Sequence, residues 1–297
     1  MPEAYTYIDN EFVKTKDAKI SILEPTFTKS DAVYDTVSVL DKKIFRLDDH
    51  LDRFKNSCKA MHIDTNHSKK EISKIAAKCL KLSKFDTAIF MLIGRRGPYM
   101  DLTKRDPRTC KNGLIVSVIP YYNIFGEDKN DRGLKIYIAK NKRVSKDSID
   151  AKIKNFNWMD LNKGLFEAYE NGYDSAVLCT PDGNLSEGPG FNIWIYKNGT
   201  LFTPEGNLLE GITRKSVKEI ADKFGIKAEE KTLKTNDLLN ADEAFSCTTA
   251  AGITPIIKVN DNVLGNGYPG LLTDRIKNYY WTLRKKGWHG TDINSLI

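Results

Sequence analysis

The spacing of apolar and polar positions changes period several times along the chain, and each change predicts an element. Ala4 to Val13 alternates around Asp9-Asn10-Glu11, which predicts two short strands and a turn. Ala32 to Phe45 predicts a second hairpin, with Val33, Tyr34, Val37, Val39 and Leu40 before a polar turn at Asp41-Lys42-Lys43 and Ile44-Phe45 after it. The period then lengthens. Leu47, Leu51, Phe54 and Cys58 recur at helical spacing behind Asp48, giving an amphipathic helix with an acidic first turn that also carries Arg53. Ser68 to Leu82 predicts another helix through Ile72, Ile75, Ala76 and Cys79. Thr87 to Gly94 and Leu114 to Pro120 read as strands joined by a polar loop from Arg95 to Asn112, and a connection of that length is more often functional than idle.

Tyr121 to Arg132 has no period and reads as a linker. Beyond it, Leu134 to Ala139 predicts a strand and Asn157 to Tyr169 a helix. The apolar arms Ser175 to Thr180 and Phe191 to Tyr196 predict a hairpin with Glu187, Gly188 and Gly190 at its tip. Lys215 to Phe224 repeats Val217, Ile220, Ala221 and Phe224 as one helix face, Ala244 to Thr248 is a strand, and a last helix runs from Leu271 to Arg284. This order predicts an α/β (α+β) chain with a small N-terminal α/β domain over residues 1–120, an interdomain linker over 121–132 and a larger, strand-rich C-terminal domain over 133–297.

Composition narrows the function classes. A chain of 297 residues with 40% hydrophobic and 29% charged residues can bury a sizeable core. The net charge of +7 comes from Lys and Arg spread along the whole sequence, so a solvated basic surface is expected and a nucleic-acid partner is not. Five widely spaced cysteines without a CxxC pair, and no apolar leader, point to reduced thiols in a cytoplasmic protein. No apolar run approaches the roughly 18 residues of a membrane span. His50, His62, His67 and His289 lack metal-ligand spacing, and no metal is expected.

Three positions offer chemistry. Lys154 follows Ile153 at the end of a strand-like approach; burial there would lower its basicity and suit Schiff-base chemistry, while the plain alternative is one more surface lysine. Glu187, beside glycines, could hold a pyridine nitrogen protonated or be a solvated turn carboxylate. Gly211-Ile212-Thr213 leads into a helix that Thr213 would cap, and the free N–H groups of a helix start attract phosphate, although most such threonines are caps and nothing more. Thr248-Thr249-Ala250 adds hydroxyls and close backbone approach.

In combination these residues resemble the class IV, fold-type IV aminotransferases that use pyridoxal 5′-phosphate (PLP). Glu187, Asn192-Ile193, Leu201-Phe202-Thr203 and Leu209-Glu210-Gly211-Ile212-Thr213-Arg214 follow that family's long signature, and the likeness runs from Tyr7-Ile8-Asp9 to Gly270. Within the family, Ser30-Asp31 through Arg53 and Lys154-Asn155-Phe156-Asn157-Trp158 look like the (R)-selective amine transaminases. The resemblance implies a fold-type IV architecture with a C-terminal pseudo-barrel, a homodimer, and ping-pong transfer of an amino group from an (R)-amine or D-configured donor to a keto acid such as pyruvate. It implies Lys154 as the Schiff-base lysine and proton shuttle, Glu187 against the pyridine nitrogen, and Arg53, Ile212, Thr213, Thr248 and Thr249 around the cofactor, mainly its phosphate. It places Tyr34, Thr36, Ile89, Met91, Trp158 and Ala250 against the substrate.

Branched-chain aminotransferases typically carry a Tyr-x-Arg set where this chain has Ile89-Phe90-Met91, which favours neutral or hydrophobic amines. A keto acid still needs a cation, so a mobile arginine is expected among Arg95, Arg96, Arg105 and Arg108. Branched-chain or D-amino acid transamination uses the same machinery and is the alternative. Aminodeoxychorismate lyase is a different reaction on the same fold, and a non-catalytic binding protein would lack the lysine, glutamate and phosphate set.

Overall fold

The computed structural model describes residues 3–297, which form two compact units. One contains the chain up to Tyr122 together with Ile153–Asn157 and Arg284–Ile297; the other contains Asn123–Lys152 and Trp158–Leu283. Two short stretches that lie beyond residue 133 therefore belong with the N-terminal part of the chain.

In the first unit, β1 (Tyr5–Ile8), β2 (Glu11–Lys14), β3 (Ala32–Leu40), β4 (Lys43–Phe45), β5 (Ala88–Tyr99) and β6 (Cys110–Pro120) join a strand at Gly290–Asp292 in one antiparallel sheet. The order is Gly290–Asp292, β4, β3, β5, β6, β1, β2. Asp41 and Lys42 both take positive φ, as a two-residue hairpin turn demands. Besides α1 (Pro25–Lys29), two helices form: α2 (Leu47–Ala60) and α3 (Lys69–Ser83), the latter opened by a Ser68–Glu71 capping box. Strand alternation sends Val33, Val37, Val39, Phe90, Leu92, Val116 and Val118 into one core with Leu51, Phe54, Ile72 and Leu80 of these helices.

The expected loop from Arg95 to Asn112 is strand at both ends. Arg95 pairs with Gly113, Arg96 with Asn112 and, past an irregularity, Tyr99 with Cys110, so the connection shrinks to residues 100–109. Arg95 and Arg96 can enter a sheet because their charges are matched. Arg95 bonds Glu24 at 2.5 Å and also Asp9, and Arg96 bonds Asp31 at 2.7 Å and the carbonyls of Met61 and His62.

The second unit has β7 (Leu134–Lys142), β8 (Ser175–Cys179), β9 (Asn192–Lys197), β10 (Thr200–Pro204), β11 (Lys227–Lys231), β12 (Glu243–Thr248), β13 (Gly252–Val259) and β14 (Asn262–Val263). Their order is β11-β10-β9-β12-β13-β7-β8, with β14 on β13. The two ends of this row are bridged: Asn184 pairs with Lys234 just past β11, and Leu185 N–H donates to Leu233 C=O at 2.7 Å, while Leu185 also pairs back onto Cys179 of β8. The result is an incomplete barrel around Leu134, Val177, Phe191, Ile193, Leu238 and Ile256. Helices α4 (Lys129–Arg132), α5 (Met159–Glu170), α6 (Ile212–Lys223), α7 (Thr235–Leu239) and α8 (Leu271–Lys285) complete the chain. Among the described residues no helix is long and apolar enough to cross a membrane.

Candidate active site

Lys154 does not end a strand. Strand β7 stops at Lys142, and the chain then bends through turns in which Ser145 accepts from Asp147 N–H and Asp150 from Lys152 N–H. The lysine is fixed by main-chain bonds in the first unit: Tyr34 N–H donates to Lys154 C=O at 2.9 Å, Lys154 N–H donates to Ser57 Oγ at 3.2 Å, and Asn155 bridges Val33. Its Nζ sits 4.5 Å from the centre of the Tyr34 ring, and the Phe156 ring lies 4.7 Å from the same centre. Thr36 pairs with Met91 and Ser38 with Ile89, so Tyr34, Thr36, Ile89 and Met91 share the sheet face opposite the helices. Four of the six expected substrate-facing residues thus lie together on one face, which Arg95 also occupies farther along β5. Trp158 and Ala250 belong to the second unit.

On the helix side of β3, Asp35 is fully buried among valines. Arg53 meets it through two bonds of 2.8 Å, Nε to Oδ2 and Nη2 to Oδ1, and His50 Nδ1 lies 2.7 Å from Oδ1. Burial alone would raise the Asp35 pKa, but the Arg53 charge and the His50 contact outweigh it and hold the carboxyl well below the usual range. Burial pushes the His50 pKa down from 6.5, so the ring stays neutral and donates Nδ1–H to the carboxylate. His50, Arg53 and Ser57 follow one another along one face of α2.

The second unit holds Glu187, and its setting corrects the predicted hairpin. Strands β8 and β9 are not neighbours, because β8 pairs in parallel with β7 and β9 lies between β10 and β12. The real hairpin is tighter. Residues 184–187 fold back on β8 through Thr180 N–H to Asn184 C=O and Leu178 N–H to Glu187 C=O, and a second turn, closed by Gly188 and Phe191, redirects the chain into β9. Gly188 is required there, since a Cβ would lie 2.5 Å from Ala176 O and overlap the Phe191 ring. The Glu187 carboxylate is nearly buried and held by donors: Oε1 accepts from Arg143 at 3.2 Å, and Oε2 from Asn192 Nδ2 at 3.3 Å and Leu209 N–H at 3.1 Å. Arg143 in turn bonds Asp160 at 2.7 Å.

Thr213 does not cap its helix. Helix α6 starts three residues earlier than predicted from periodicity, with Gly211 in extended conformation as the cap and Ile212 and Thr213 as its first residues. Their N–H groups are among those a helix leaves without internal partners. A Cβ on Gly211 would overlap Asn192 Oδ1, so this helix start is closed to any side chain. Thr248 donates its hydroxyl to Gly190 C=O at 2.7 Å, so that proton is not offered to a phosphate; Thr249 lies in the following turn, and Ala250 C=O accepts from Ile124 N–H at 3.1 Å.

Of the four loop arginines, Arg95 and Arg96 are the buried ion-paired residues already described. Arg108 is exposed and bonds Asp106 at 2.7 Å, and Arg105 is exposed in a left-handed backbone conformation within the 100–109 connection. Periodicity missed Asp35, His50, Ser57, Arg143 and Asn192. Of these, Asn192 stood in the family signature, and Asp35 carried a signal as a carboxylate alternating with core valines.

The model for "Amino-transferase class IV" matches residues 32–259. This chain belongs to the class IV aminotransferases. As a class IV aminotransferase it is a PLP-dependent enzyme. It is 32% identical over 94% of its length to a provisionally named branched-chain-amino-acid aminotransferase of Methanocaldococcus jannaschii, covering 96% of that protein. The crystal structure of the Escherichia coli branched-chain amino acid aminotransferase is similar with a TM-score of 0.91, at 25% identity, over 95% of this chain and 94% of that one. The branched-chain aminotransferase of the archaeon Thermoproteus uzoniensis, solved with norvaline, matches with a TM-score of 0.89 at 26% identity, over 98% and 99%.

Proposed function

We propose that this class IV aminotransferase moves the amino group between a branched-chain amino acid and a keto acid. The observation that carries this reading is the likeness, over nearly the whole chain, to aminotransferases named for branched-chain amino acids. The residues present suit PLP: a lysine amine over an aromatic ring for its aldehyde, a buried carboxylate for its ring nitrogen, and helix N–H groups with a guanidinium for its phosphate. When bound, PLP supplies an aldehyde that accepts the amino group and a ring that withdraws electrons. Lys154 Nζ would hold the aldehyde and is the amine placed to carry a proton to and from the substrate carbon. Glu187, which accepts from Arg143, Asn192 and the Leu209 N–H, would pair with the ring nitrogen and keep it protonated. The Ile212 and Thr213 N–H groups of the second unit and the Arg53 guanidinium of the first would each suit its phosphate.

A second reading, transfer from an (R)-amine or D-configured donor, is favoured by one observation. The strand positions Ile89 and Met91 beside Tyr34 and Thr36 provide no cation for an α-carboxylate. The deciding experiment is half-transamination of purified holoenzyme with L-leucine, D-alanine and (R)- and (S)-1-phenylethylamine, followed by loss of the cofactor's absorbance. Branched-chain transfer requires L-leucine to discharge the cofactor fastest; discharge by (R)-1-phenylethylamine alone would establish the second reading. Borohydride reduction and peptide mapping should place the pyridoxyl label on Lys154. We also propose a homodimer, for which light scattering would give about twice the chain mass of 33.6 kDa.

A further inference from the structure

Arg53 is not free to choose its own orientation. Its Nε and one Nη are committed to Asp35, and the other face of that carboxylate is taken by His50. Asp35 and His50 are both fully buried, in a layer otherwise filled by Val33, Val37, Leu51 and Phe54. A carboxylate placed there is costly unless a fixed partner compensates it, and Arg53 at the margin of the layer is that partner. Only one His50 nitrogen is engaged; Nε2 has no hydrogen-bond partner among the described residues. The neutral ring therefore serves Asp35 as a single N–H donor and adds no second positive charge to compete with Arg53.

The same short run of β3 also anchors the lysine. Tyr34, adjacent to Asp35, gives its N–H to Lys154 C=O, and Ser57, on the α2 face that carries His50 and Arg53, receives Lys154 N–H. Two neighbouring residues of one strand thus hold the amine-bearing segment on one side and the guanidinium on the other.

We infer that Asp35 and His50 are positioning residues for the cofactor's phosphate, acting through Arg53: Asp35 sets the plane of the guanidinium by a bidentate pair, and His50 holds Asp35 in place. This rests on the reading above that Arg53 binds phosphate. Loss of either residue lets the guanidinium rotate off the phosphate while leaving the groups that meet the pyridine ring untouched. The penalty therefore falls on PLP and spares pyridoxal, which has no phosphate.

The test is titration of full-length apoprotein with PLP and with pyridoxal, read by absorbance, for wild type and the variants Arg53→Ala, Asp35→Asn, His50→Ala and His50→Gln, each first checked for native circular dichroism. The expected result is a fall of at least tenfold in the ratio of PLP to pyridoxal affinity for Arg53→Ala and Asp35→Asn. His50→Ala should lose severalfold, and His50→Gln, which keeps an N–H donor, should recover most of it. If Arg53→Ala weakens both ligands equally, the phosphate role of Arg53 is wrong. If Arg53→Ala is phosphate-selective while Asp35→Asn and His50→Ala weaken both ligands equally or neither, Arg53 keeps its role and the positioning proposal is overturned. Should Asp35→Asn fail to fold, the comparison of His50→Ala with His50→Gln decides alone.

Discussion

The Nζ of Lys154 lies 4.5 Å from the centre of the Tyr34 ring, and the main chains of the same two residues are joined by a 2.9 Å hydrogen bond. Backbone and side chain therefore fix the amine over the ring face together. A cation held so is stabilised by about 0.5–2 kcal/mol. Tyr34→Phe keeps the ring and should leave kcat within about threefold, whereas Tyr34→Ala should lower it by about tenfold, the rate equivalent of ~1.4 kcal/mol. Equal losses in steady-state kinetics would shift the role from the ring to the hydroxyl.

Arg95 and Arg105 should separate cleanly. Arg95 is buried against Glu24, and removing one member of a buried pair costs about 3–5 kcal/mol, so Arg95→Ala should lower the melting temperature sharply. Arg105 is exposed, and Arg105→Ala should leave melting unchanged. If Arg105 receives the keto-acid carboxylate, its loss raises KM for pyruvate about tenfold, or ~1.4 kcal/mol, and leaves that of an uncharged aldehyde alone. Parallel changes in both constants would remove Arg105 from substrate binding.

Acid should loosen the first unit in two steps. Folded His50 takes a proton less readily than it does in the unfolded chain, where its pKa is near 6.5, so stability is full above that pH and falls as pH drops below it. Asp35 has the opposite charge and the same consequence: its lowered pKa contributes stability that is present above the unfolded value of 3.8 and is lost as pH falls below it. Melting curves between pH 7.5 and 5.5 should show a decline for wild type and a flatter course for His50→Asn.

Gly211→Ala should damage both the fold and cofactor retention. The added methyl overlaps Asn192 Oδ1 and comes within 3.4 Å of Arg214 Cβ, and Asn192 also links Glu187 to Leu209. Overpacking of this kind costs about 1–3 kcal/mol. The melting-temperature gain on adding PLP should shrink in the variant; an unchanged gain would mean that the neighbourhood of Gly211 is not used by the cofactor.

Thiol labelling gives an independent check of burial. Cys58, Cys79, Cys179 and Cys247 are buried, and desolvation pushes the thiols of Cys58, Cys79 and Cys247 up to about 12. Cys110, at the start of β6, is only half-buried. A maleimide at neutral pH should modify Cys110 first, with the other four reacting only in denaturant, as mass spectrometry would read.

Elements with a steady period were legible in the residues: α2 from Leu47, Leu51, Phe54 and Cys58, α3 from its Ser68 start, and the turn at Asp41-Lys42-Lys43, which the structure narrows to its first two residues. What local pattern could not reveal is pairing over distance. Arg95-Arg96-Gly97-Pro98 looks like loop because the carboxylates that let the arginines enter a sheet, Glu24 and Asp31, lie 71 and 65 residues away. The apolar arms around Glu187 suggested a hairpin with each other, whereas β8 is claimed by β7 and by residues 184–187. The lysine, the glutamate and the helix start were readable as a motif, and Asn192 stood in the family signature, but Asp35 and Arg143 are ordinary residues until their partners are known.

The first unit is assembled from stretches that leave the ribosome at very different times. Its β4 edge is covered by Gly290–Asp292, and Lys154 comes to β3 only after residues 123–152 have been made. A nascent chain halted near residue 122 would expose an uncovered strand edge and lack Lys154, which makes it a substrate for chaperones and not a folding unit. Maturation of this half of the enzyme is thus coupled to completed translation through residue 292, and N-terminal fragments should be recovered as aggregates instead of small stable domains.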